Sequence, residues 1–334
     1  MNAAVYSTYG PPEVVSIQER DRPAPANHEV LIRIEAAAVS ATDAIFRRGR
    51  PYVARLGCGL LKPTYPTLGD VLCGEVIATG AGVSRYQVGD RVYGSSGPQF
   101  GAHAEYICLP EDGALALKPE HLSSAEAVSL ADGGLTALPF LREEARIRRG
   151  QRVLVNGASG SIGSIAVQVA KYLGAHVTGV CSGANIVLVE SLGAEHVIDY
   201  TKDDFTAIGK TWDIIFDTVG KRSFTACKKA LSPNGIYLTT VLNAIILFDM
   251  LRTAKLGSRR ATIAFAGLRP PEKKAEDLAF LNERVQDGSV KGIVDRCFPL
   301  EDIVNAHRHV DTGHKKGSIV VQMGPIGSAG GPPA

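Results

Sequence analysis

The segment GASGSIG, residues 157–163, has small residues at a spacing that suits phosphate binding. Gly160 and Gly163 occupy the second and third positions of the pattern G-x-G-x-x-G, and Ala158 replaces the first glycine. Small residues let the backbone approach a pyrophosphate, and a helix that begins here presents N–H groups to the anion. The alternative is a glycine-rich turn of another α/β fold. The predicted dinucleotide-binding turn comprises Gly157, Ala158, Ser159, Gly160, Ser161, Ile162 and Gly163.

Ser182 stands where dinucleotide-binding proteins usually carry an acidic residue, roughly 20 residues after the turn. An acidic side chain would hydrogen-bond a ribose 2′-hydroxyl and repel a 2′-phosphate, whereas a serine hydroxyl can donate to the phosphate. Tyr200, after the next predicted strand, can donate a second hydrogen bond. No Arg or Lys follows at residues 183–185, although Lys202, Lys315 or Lys316 could supply positive charge. The preference therefore rests on the absence of an acidic side chain and on these two donors. They favour NADPH over NADH.

Strands and helices alternate from Arg152 onward, and this order predicts right-handed βαβ units around a parallel sheet. Residues 152–156 have the pattern of a buried strand, and apolar residues recur at helical spacing from Ser161 to Leu173. Residues 1–124 instead contain short β-rich runs separated by Gly, Pro and Asp. The sequence therefore predicts an α/β protein with a β domain followed by a doubly wound dinucleotide-binding domain.

The composition is that of an ordinary globular protein: 334 residues, of which 45% are hydrophobic and 21% are charged. The net charge of +2, without a run of Lys or Arg, argues against nucleic acid as a partner. The longest apolar stretch, residues 235–251, contains Asn243 and Asp249 and is too short to predict a membrane span. The six cysteines lack C-x-x-C spacing, and no secretion signal begins the chain. We therefore expect a cytoplasmic protein with no membrane partner.

Several segments together resemble the medium-chain dehydrogenase/reductase superfamily, in its zinc-independent quinone (enone) oxidoreductase branch. EVLIRIEAAAVSATDAIFRRG and GEVIATGAGVSRYQVGDRVYG resemble the GroES-like β domain of that family. The segment from GGLTALPF through the phosphate turn to LGAEHVIDY resembles its cofactor domain, and AHRHVDTGHKKGSIVV resembles its C-terminal part. The resemblance implies a GroES-like catalytic domain (1–124 joined by 270–334), a Rossmann NADP(H)-binding domain (125–269), a cleft between the domains, and a homodimer.

The resemblance also implies roles for single residues near the cofactor. Ser182 and Tyr200 match the family's contacts with the 2′-phosphate, and Asn185 stands where relatives often have a lysine. Thr136 matches a residue near the phosphates and the nicotinamide. The matches near the ribose and the carboxamide are Val219, Gly220, Val241 and Asn243.

Relatives that use zinc bind it with a Cys, a His and a further Cys or Asp, and this chain aligns Ser40, Asp70 and Asp132 with those positions. Residues 93–107 contain no cysteine, so the four-cysteine structural lobe has no counterpart. Without thiolate or imidazole ligands we predict no metal. Three interpretations of the two carboxylates stay open. They form a weak oxygen-rich metal site, share a proton with one raised pKa, or make ordinary hydrogen bonds, with Asp132 capping the GGLT turn.

Hydride addition without a metal requires an acceptor that is already electrophilic, such as a quinone or an α,β-unsaturated carbonyl compound. The protein must donate hydrogen bonds to the acceptor oxygen, and Ser40 and Tyr52 are candidate donors, although Tyr52 also fits an exposed loop aromatic. Asp43 matches a position that contacts the nicotinamide ribose or a lysine, or else caps a turn. The candidate catalytic residues are Ser40, Asp43, Tyr52, Asp70 and Asp132.

The resemblance thus implies an NADPH-dependent oxidoreductase that acts on small electrophilic acceptors. One-electron quinone reduction would use the same cofactor and stays open. A zinc-type alcohol dehydrogenase and a non-catalytic NADPH-binding regulatory protein are the competing hypotheses.

Overall fold

The computed structural model describes residues 1–255 and 257–324, and the chain divides into two compact units. Unit 1 comprises Met1–Asp132, Leu268–Glu283 and the chain from Gly292, and unit 2 comprises Gly133–Gly267 and Arg284–Lys291. The domain limits and the cleft predicted from the sequence stay predictions, and residues 325–334 lie outside the described residues. Within the described ranges, no helix has the length and apolar character needed to cross a membrane.

The strands and helices are numbered along the chain. The strands are β1 (Asn2–Val5), β2 (Ser16–Glu19), β3 (Glu29–Val39), β4 (Val71–Thr79), β5 (Arg91–Ser95), β6 (Tyr106–Pro110), β7 (Ala114–Leu117), β8 (Arg152–Asn156), β9 (His176–Cys181), β10 (His196–Asp199), β11 (Trp212–Asp217), β12 (Leu231–Thr239), β13 (Arg260–Thr262), β14 (Val294–Pro299) and β15 (Ser318–Gln322). The α-helices are α1 (Ala41–Arg48), α2 (Arg55–Cys58), α3 (Ser124–Leu138), α4 (Ser161–Tyr172), α5 (Ile186–Ser191), α6 (Phe224–Cys227), α7 (Ala244–Lys255), α8 (Pro271–Gln286) and α9 (Ile303–Asp311).

Unit 1 is built on a sheet with the strand order β14-β15-β3-β4-β5-β7, and β6 also pairs with β3. Its pairs are antiparallel except for β14 with β15. The long apolar segment of β3 contributes Ile32 and Ile34 to a core that also contains Leu72 of β4. Because β3 and β4 are antiparallel, Ser40 after β3 and Asp70 before β4 lie at the same edge of the sheet.

Helix α1 is the element of this edge that is not predicted from the sequence, which indicates only strands and turns before residue 124. Ser40 begins the helix with a capping box: its side chain accepts from Asp43 N, and the Asp43 side chain accepts from the Ser40 backbone. Such a reciprocal pair satisfies N–H groups that the first helical turn leaves unpaired. The spacing S-x-x-D in SATD was the available signal.

Unit 2 contains a parallel sheet with the strand order β10-β9-β8-β11-β12-β13, which confirms the predicted doubly wound arrangement. The chain proceeds from β8 to β9 and β10, then returns to β11 on the other side of β8, so the strand order reverses there. Ligands of open α/β sheets bind outside the carboxyl ends of the strands at such a reversal. Asn156 and Asp217, the last residues of β8 and β11, pair in register and mark this position.

Candidate active site

In the turn after β8 and the start of α4, two positions accommodate only glycine. Gly157 has φ +85°, and a Cβ there would lie 2.6 Å from Thr218 Oγ1. A Cβ on Gly163 would lie 2.0 Å from the carbonyl oxygen of Gly157. Gly160 is the N-cap of α4, and no side chain caps this end of the 12-residue helix. The uncapped helix N-terminus at the sheet reversal fits the pyrophosphate of a dinucleotide.

The predicted 2′-phosphate contacts come together beyond the ends of β9 and β10. Asn185 Nδ2 donates to Ser182 Oγ at 3.2 Å and to Ser159 Oγ at 3.1 Å. Because both hydroxyl oxygens accept from the amide, their hydrogens are able to donate to an anion. The Oδ1 atom of Asn185 is buried without a hydrogen-bond partner, and the parallel register places the half-exposed Tyr200 beside Ser182.

Asp199 is a carboxylate at this end of β10 that sequence reasoning missed. A Cβ on Gly183 would lie 2.6 Å from Asp199 Oδ2, so the carboxylate lies against the segment that follows Ser182. The side chain of Thr201 is the main cause that lowers the Asp199 pKa, through a hydrogen bond of 2.8 Å to Oδ1. Lys202 Nζ lies 3.9 Å from Oδ2. Asp199 therefore accepts hydrogen bonds from its own loop and from the backbone of Gly183. Its position at the end of the predicted strand HVID is the sequence feature that could have identified it.

Val219 and Gly220 form a turn after β11 that the buried carboxylate of Asp217 holds. The backbone N–H groups of both residues donate to Asp217 Oδ1 at 3.0 Å. Gly220 has φ +74°, and a Cβ there would lie 2.3 Å from Val241 Cγ2, so the turn packs against Val241. The partly exposed side chains of Val219 and Val241 offer apolar surface to a ligand. Asp217 itself was not predicted from the sequence.

The two remaining residues that are predicted to contact the cofactor are Asn243 and Thr136. Asn243 Oδ1 accepts from Ile246 N at 3.0 Å and so caps the N-terminus of α7. Thr136 is half-buried in α3. Their contacts with the nicotinamide end stay predictions.

Ser40 and Asp43 are joined in unit 1 by short hydrogen bonds. The Ser40 hydroxyl and the Ser40 N–H both donate to Asp43 Oδ2 at 2.7 Å. Asp43 Oδ1 accepts from Gly69 N at 2.8 Å, and the side chain is fully buried. Asp43 therefore connects the start of α1 to the loop before β4. Of the two roles expected for Asp43, this arrangement corresponds to the cap. The Ser40 hydroxyl hydrogen is already engaged.

Asp70 lies directly before β4, and burial is the main cause that raises its pKa to about 7. The carboxylates of Asp43 and Asp132 raise the pKa further, and the Lys274 ammonium opposes them. Lys274 is itself buried on α8, and this burial lowers its pKa. Of the three open interpretations, a set of interacting carboxyls with one raised pKa agrees best with this arrangement. Lys274 was missed, because nothing local in its helix marks it.

One of the three interpretations has Asp132 cap or hydrogen-bond a turn at GGLT, and the turn in this interpretation needs correction. Residues 133–138 continue α3 as a helix, so there is no turn at this place. Asp132 instead accepts from Ser318 Oγ at 2.8 Å.

Tyr52 begins a short 3-10 turn, Tyr52–Ala54, between α1 and α2. The residue is 65% exposed, and the guanidinium carbons of Arg50 and Arg55 lie 5.7 Å and 5.0 Å from its ring centroid. These contacts are those of an exposed aromatic on a loop. A role for its hydroxyl toward the acceptor stays a prediction.

The residues aligned with zinc ligands do not fit a catalytic zinc. Ser40 offers a hydroxyl that donates a hydrogen bond to Asp43, and Asp70 offers a carboxyl group with a raised pKa. Asp132 offers a carboxylate that accepts a hydrogen bond from Ser318. Zinc in proteins prefers thiolate and imidazole donors. Within residues 1–255 and 257–324, no group of three or more His, Cys, Asp or Glu side chains could hold a metal ion.

Comparisons with known proteins match most of the chain. A family model described as the alcohol dehydrogenase GroES-like domain matches residues 26–120, and one described as zinc-binding dehydrogenase matches residues 192–321. The chain is 30% identical to the chloroplast envelope quinone oxidoreductase homolog of Arabidopsis thaliana, over 96% of this chain and 98% of that protein. It is also 30% identical to the NADPH-dependent alkenal/one oxidoreductase, chloroplastic, of Arabidopsis thaliana, over 96% and 79%. The structure of the quinone oxidoreductase from Coxiella burnetii superimposes with a TM-score of 0.86 at 30% identity, covering 96% and 99%.

A Rossmann sheet with a phosphate turn at its reversal, carried on one chain with a GroES-like β unit, defines a nicotinamide-dependent oxidoreductase. The chain belongs to the medium-chain dehydrogenase/reductase superfamily, in its quinone oxidoreductase-like branch. The fold class and the family expected from the sequence are confirmed.

Proposed function

We propose that this protein transfers a hydride from NADPH to quinones or α,β-unsaturated carbonyl compounds without a catalytic zinc. The observation that carries the proposal is the phosphate turn, where Gly157, Gly160 and Gly163 leave the N-terminus of α4 open at the sheet reversal. Relatives named for quinone and for alkenal/one reduction support the acceptor class. Bound NADPH would supply a hydride from C4 of its nicotinamide ring.

The choice of NADPH is supported by the side chains around Ser182. Asn185 orders the hydroxyls of Ser159 and Ser182 as acceptors of its amide, which leaves their hydrogens to a 2′-phosphate. The Tyr200 hydroxyl adds a third donor. Lys202 Nζ, 3.9 Å from Asp199 Oδ2, offsets part of the negative charge that Asp199 would direct at a 2′-phosphate.

The acceptor class follows from the donors that this chain offers to the acceptor. A catalytic zinc would polarise the carbonyl of a simple ketone, and the Ser40, Asp70 and Asp132 set suits zinc poorly. Quinones and enones are electrophilic enough to accept a hydride once they are oriented. The chain therefore has to bind, orient and protonate the acceptor rather than activate it through a metal.

Reduction leaves negative charge on the acceptor oxygen, which a protein group must neutralise. We assign Asp70 to this step, because a pKa of about 7 keeps a large share of its carboxyl protonated at neutral pH. Asp43 and Asp132 keep the proton bound, and Lys274 stabilises the carboxylate once the proton has left. Ser40 is a weaker candidate, because its hydroxyl already donates to Asp43. The homodimer, the cytoplasmic location and the absence of nucleic-acid and membrane partners remain proposals from the sequence.

Consumption of NADPH and NADH by chelator-treated enzyme tests the proposal with three acceptors: a quinone, an enone and a simple ketone. We expect turnover of NADPH with the quinone or the enone, none with the ketone, and no loss of rate on chelation. Ketone turnover that chelation abolishes, with stoichiometric zinc, would identify an alcohol dehydrogenase instead. NADPH binding without turnover of any acceptor would favour a regulatory protein, and a semiquinone detected by electron paramagnetic resonance would identify one-electron transfer.

A further inference from the structure

A buried carboxylate outside the predicted site residues joins the ends of neighbouring strands in unit 2. Asp217 ends β11 and is fully buried, and its Oδ1 accepts from Asn156 Nδ2 at 2.9 Å. The same oxygen accepts from the N–H groups of Val219 and Gly220, both at 3.0 Å. Oδ2 accepts from the Tyr237 hydroxyl at 3.0 Å. We call these five residues the Asp217 network; they connect β8, β11, β12 and the turn 218–220.

The turn 218–220 packs directly on the phosphate turn. Thr218 donates to the Asn156 carbonyl oxygen from both its N–H and its hydroxyl, at 3.0 Å and 2.8 Å. A Cβ on Gly157 would lie 2.6 Å from Thr218 Oγ1 and equally 2.6 Å from Val219 Cγ2. Little free space separates the two turns, so any displacement of Val219 changes the surface beside the pyrophosphate position.

The Asp217 carboxylate has the partners that a buried charge requires. Removing such a charge from water is costly unless hydrogen bonds replace its hydration. Two backbone donors, an amide and a phenol provide that replacement, and charge-assisted bonds of this kind hold their geometry more firmly than neutral ones. Together with the two hydrogen bonds from Thr218 to Asn156, the network fixes one conformation of the turn.

We propose that Asp217 is a positioning residue that sets the shape of the turn 218–220 against the cofactor and thereby controls cofactor affinity. The inference rests on the proposed function, because the cofactor contacts of Val219 and Gly220 belong to it. Asp217 has no exposed surface and so acts through these two residues. Its removal changes the binding of NADPH and not the chemical step.

Two substitutions of Asp217 separate geometry from charge. Tyr237 has one hydroxyl hydrogen and two acceptors, Asp217 Oδ2 at 3.0 Å and the Arg222 carbonyl oxygen at 2.6 Å. In D217N the amide oxygen accepts from the same three N–H donors. The amide nitrogen donates to the Tyr237 oxygen, whose hydrogen turns to Arg222. D217N therefore keeps the geometry without the charge, whereas D217A loses both.

A second aspartate of the same strand provides a matched control. Asp213 lies near the opposite end of β11, and its carboxylate accepts from Arg152 N at 2.8 Å and from Ser232 Oγ at 2.6 Å. D213A removes a hydrogen-bonded carboxylate from the same sheet without touching the turn 218–220.

The test measures the NADPH dissociation constant by fluorescence, together with KM for NADPH and kcat, in the full-length protein. We expect D217A to raise the dissociation constant and KM by about tenfold or more while kcat stays within about threefold. D217N and D213A are expected to stay within about threefold of the wild type in all three quantities. Thermal unfolding identifies variants that do not fold, and D217S replaces D217A in that case, with the same expected loss.

A folded D217A or D217S variant with wild-type affinity for NADPH overturns the inference. An equal loss of NADPH affinity in D213A also overturns it, because it would indicate a general effect on the sheet. A loss in D217N as large as in D217A overturns the geometric role in favour of the charge. If the wild type binds NADPH but reduces no acceptor, the proposed function fails while the ratio of dissociation constants still decides the role of Asp217. If the wild type binds no nicotinamide cofactor, both fail.

Discussion

Asp217 in unit 2 is the last residue of β11, and Asp70 in unit 1 directly precedes β4. The two carboxyl groups have opposite electrostatic surroundings. Asp217 is met by four hydrogen-bond donors, two of them backbone N–H groups. Asp70 is met by the carboxylates of Asp43 and Asp132, and the Lys274 ammonium and a backbone hydrogen bond oppose them. Donors favour the charged form of a carboxyl group, whereas burial and like charges favour the neutral form.

The difference suits the two carboxyl groups to different tasks in the proposed reaction. In unit 2, the edge at the carboxyl ends of β8 and β11 consists of glycines, backbone N–H groups and a carboxylate whose oxygens accept hydrogen bonds. Its shape is therefore fixed before a ligand arrives. The unit 1 edge keeps a carboxyl group whose proton can leave near neutral pH. A fixed surface suits recognition of a phosphate, and a group that changes its charge suits proton transfer. Substitutions at one of the two sites at a time are expected to affect either binding or proton transfer.

The largest effect is expected at Gly160. A Cβ there would lie 3.4 Å from the Gly157 carbonyl oxygen, which is an ordinary contact, so G160A is expected to fold. The added methyl group would occupy space that the pyrophosphate needs. We expect kcat/KM for NADPH to fall about 100-fold, equivalent to about 2.7 kcal/mol, with an almost unchanged unfolding midpoint. Steady-state kinetics and thermal unfolding measure the two quantities.

The control for this prediction is Gly267, where a Cβ would meet nothing within 4 Å. G267A adds the same methyl group away from the phosphate turn and is expected to leave kcat/KM unchanged. Wild-type kinetics in G160A would show that the pyrophosphate does not approach this turn.

A smaller effect is expected from Ser182→Asp at the 2′-phosphate site. The new carboxylate would repel the phosphate and would accept the 2′-hydroxyl of NADH. We expect the ratio of kcat/KM for NADPH to that for NADH to fall by about tenfold or more, which is about 1.4 kcal/mol or more. S191D introduces the same charge at the exposed end of α5 and serves as the control. A ratio that does not change in S182D would mean that Ser182 does not contact the phosphate.

The comparison also explains how far the sequence predicts this molecule. Local signals were sufficient for the strands of the parallel sheet, for α4 and for the phosphate turn, because periodicity and glycine spacing are short-range properties. The glycines at 133–134 suggest a turn in the sequence, but both lie within α3. A Cβ on Gly133 would lie 2.5 Å from the Ser161 carbonyl oxygen. This glycine allows a close approach to the start of α4 and does not break α3.

Partners far apart in the sequence account for what was missed. Lys274 affects Asp70 only because α8 brings it close in the folded unit, and Asp217 acquires its role from Asn156 and Tyr237 on other strands. The types of these residues are visible in the sequence, but the sign of each electrostatic effect depends on neighbours that only the fold provides. The sequence accordingly marks Asp70 and Asp132 as unusual but does not determine how they interact.

The last prediction tests the sign of the effect at Asp70. If its protonated carboxyl serves the reaction, kcat of the wild type falls above a pH of about 7, by about tenfold per pH unit. Asp70→Asn removes the proton donor, so its kcat is expected to be lower at neutral pH and independent of pH across this range. The exposed carboxylate of Asp21 provides the control, and D21N is expected to retain the wild-type profile.

Stability is expected to change with pH in the same variant for the same reason. The pKa of Asp70 is raised from 3.8 in the unfolded chain to about 7 in the folded protein. Its contribution to folding is therefore fully present below about 3.8 and is lost as the pH rises through about 7. D70N cannot ionise, so its unfolding midpoint relative to the wild type should be higher at pH 8 than at pH 4.5, while D21N shows little difference. A shift of the opposite sign would mean that Asp70 gains stability from its charge, which would contradict a raised pKa in the folded protein.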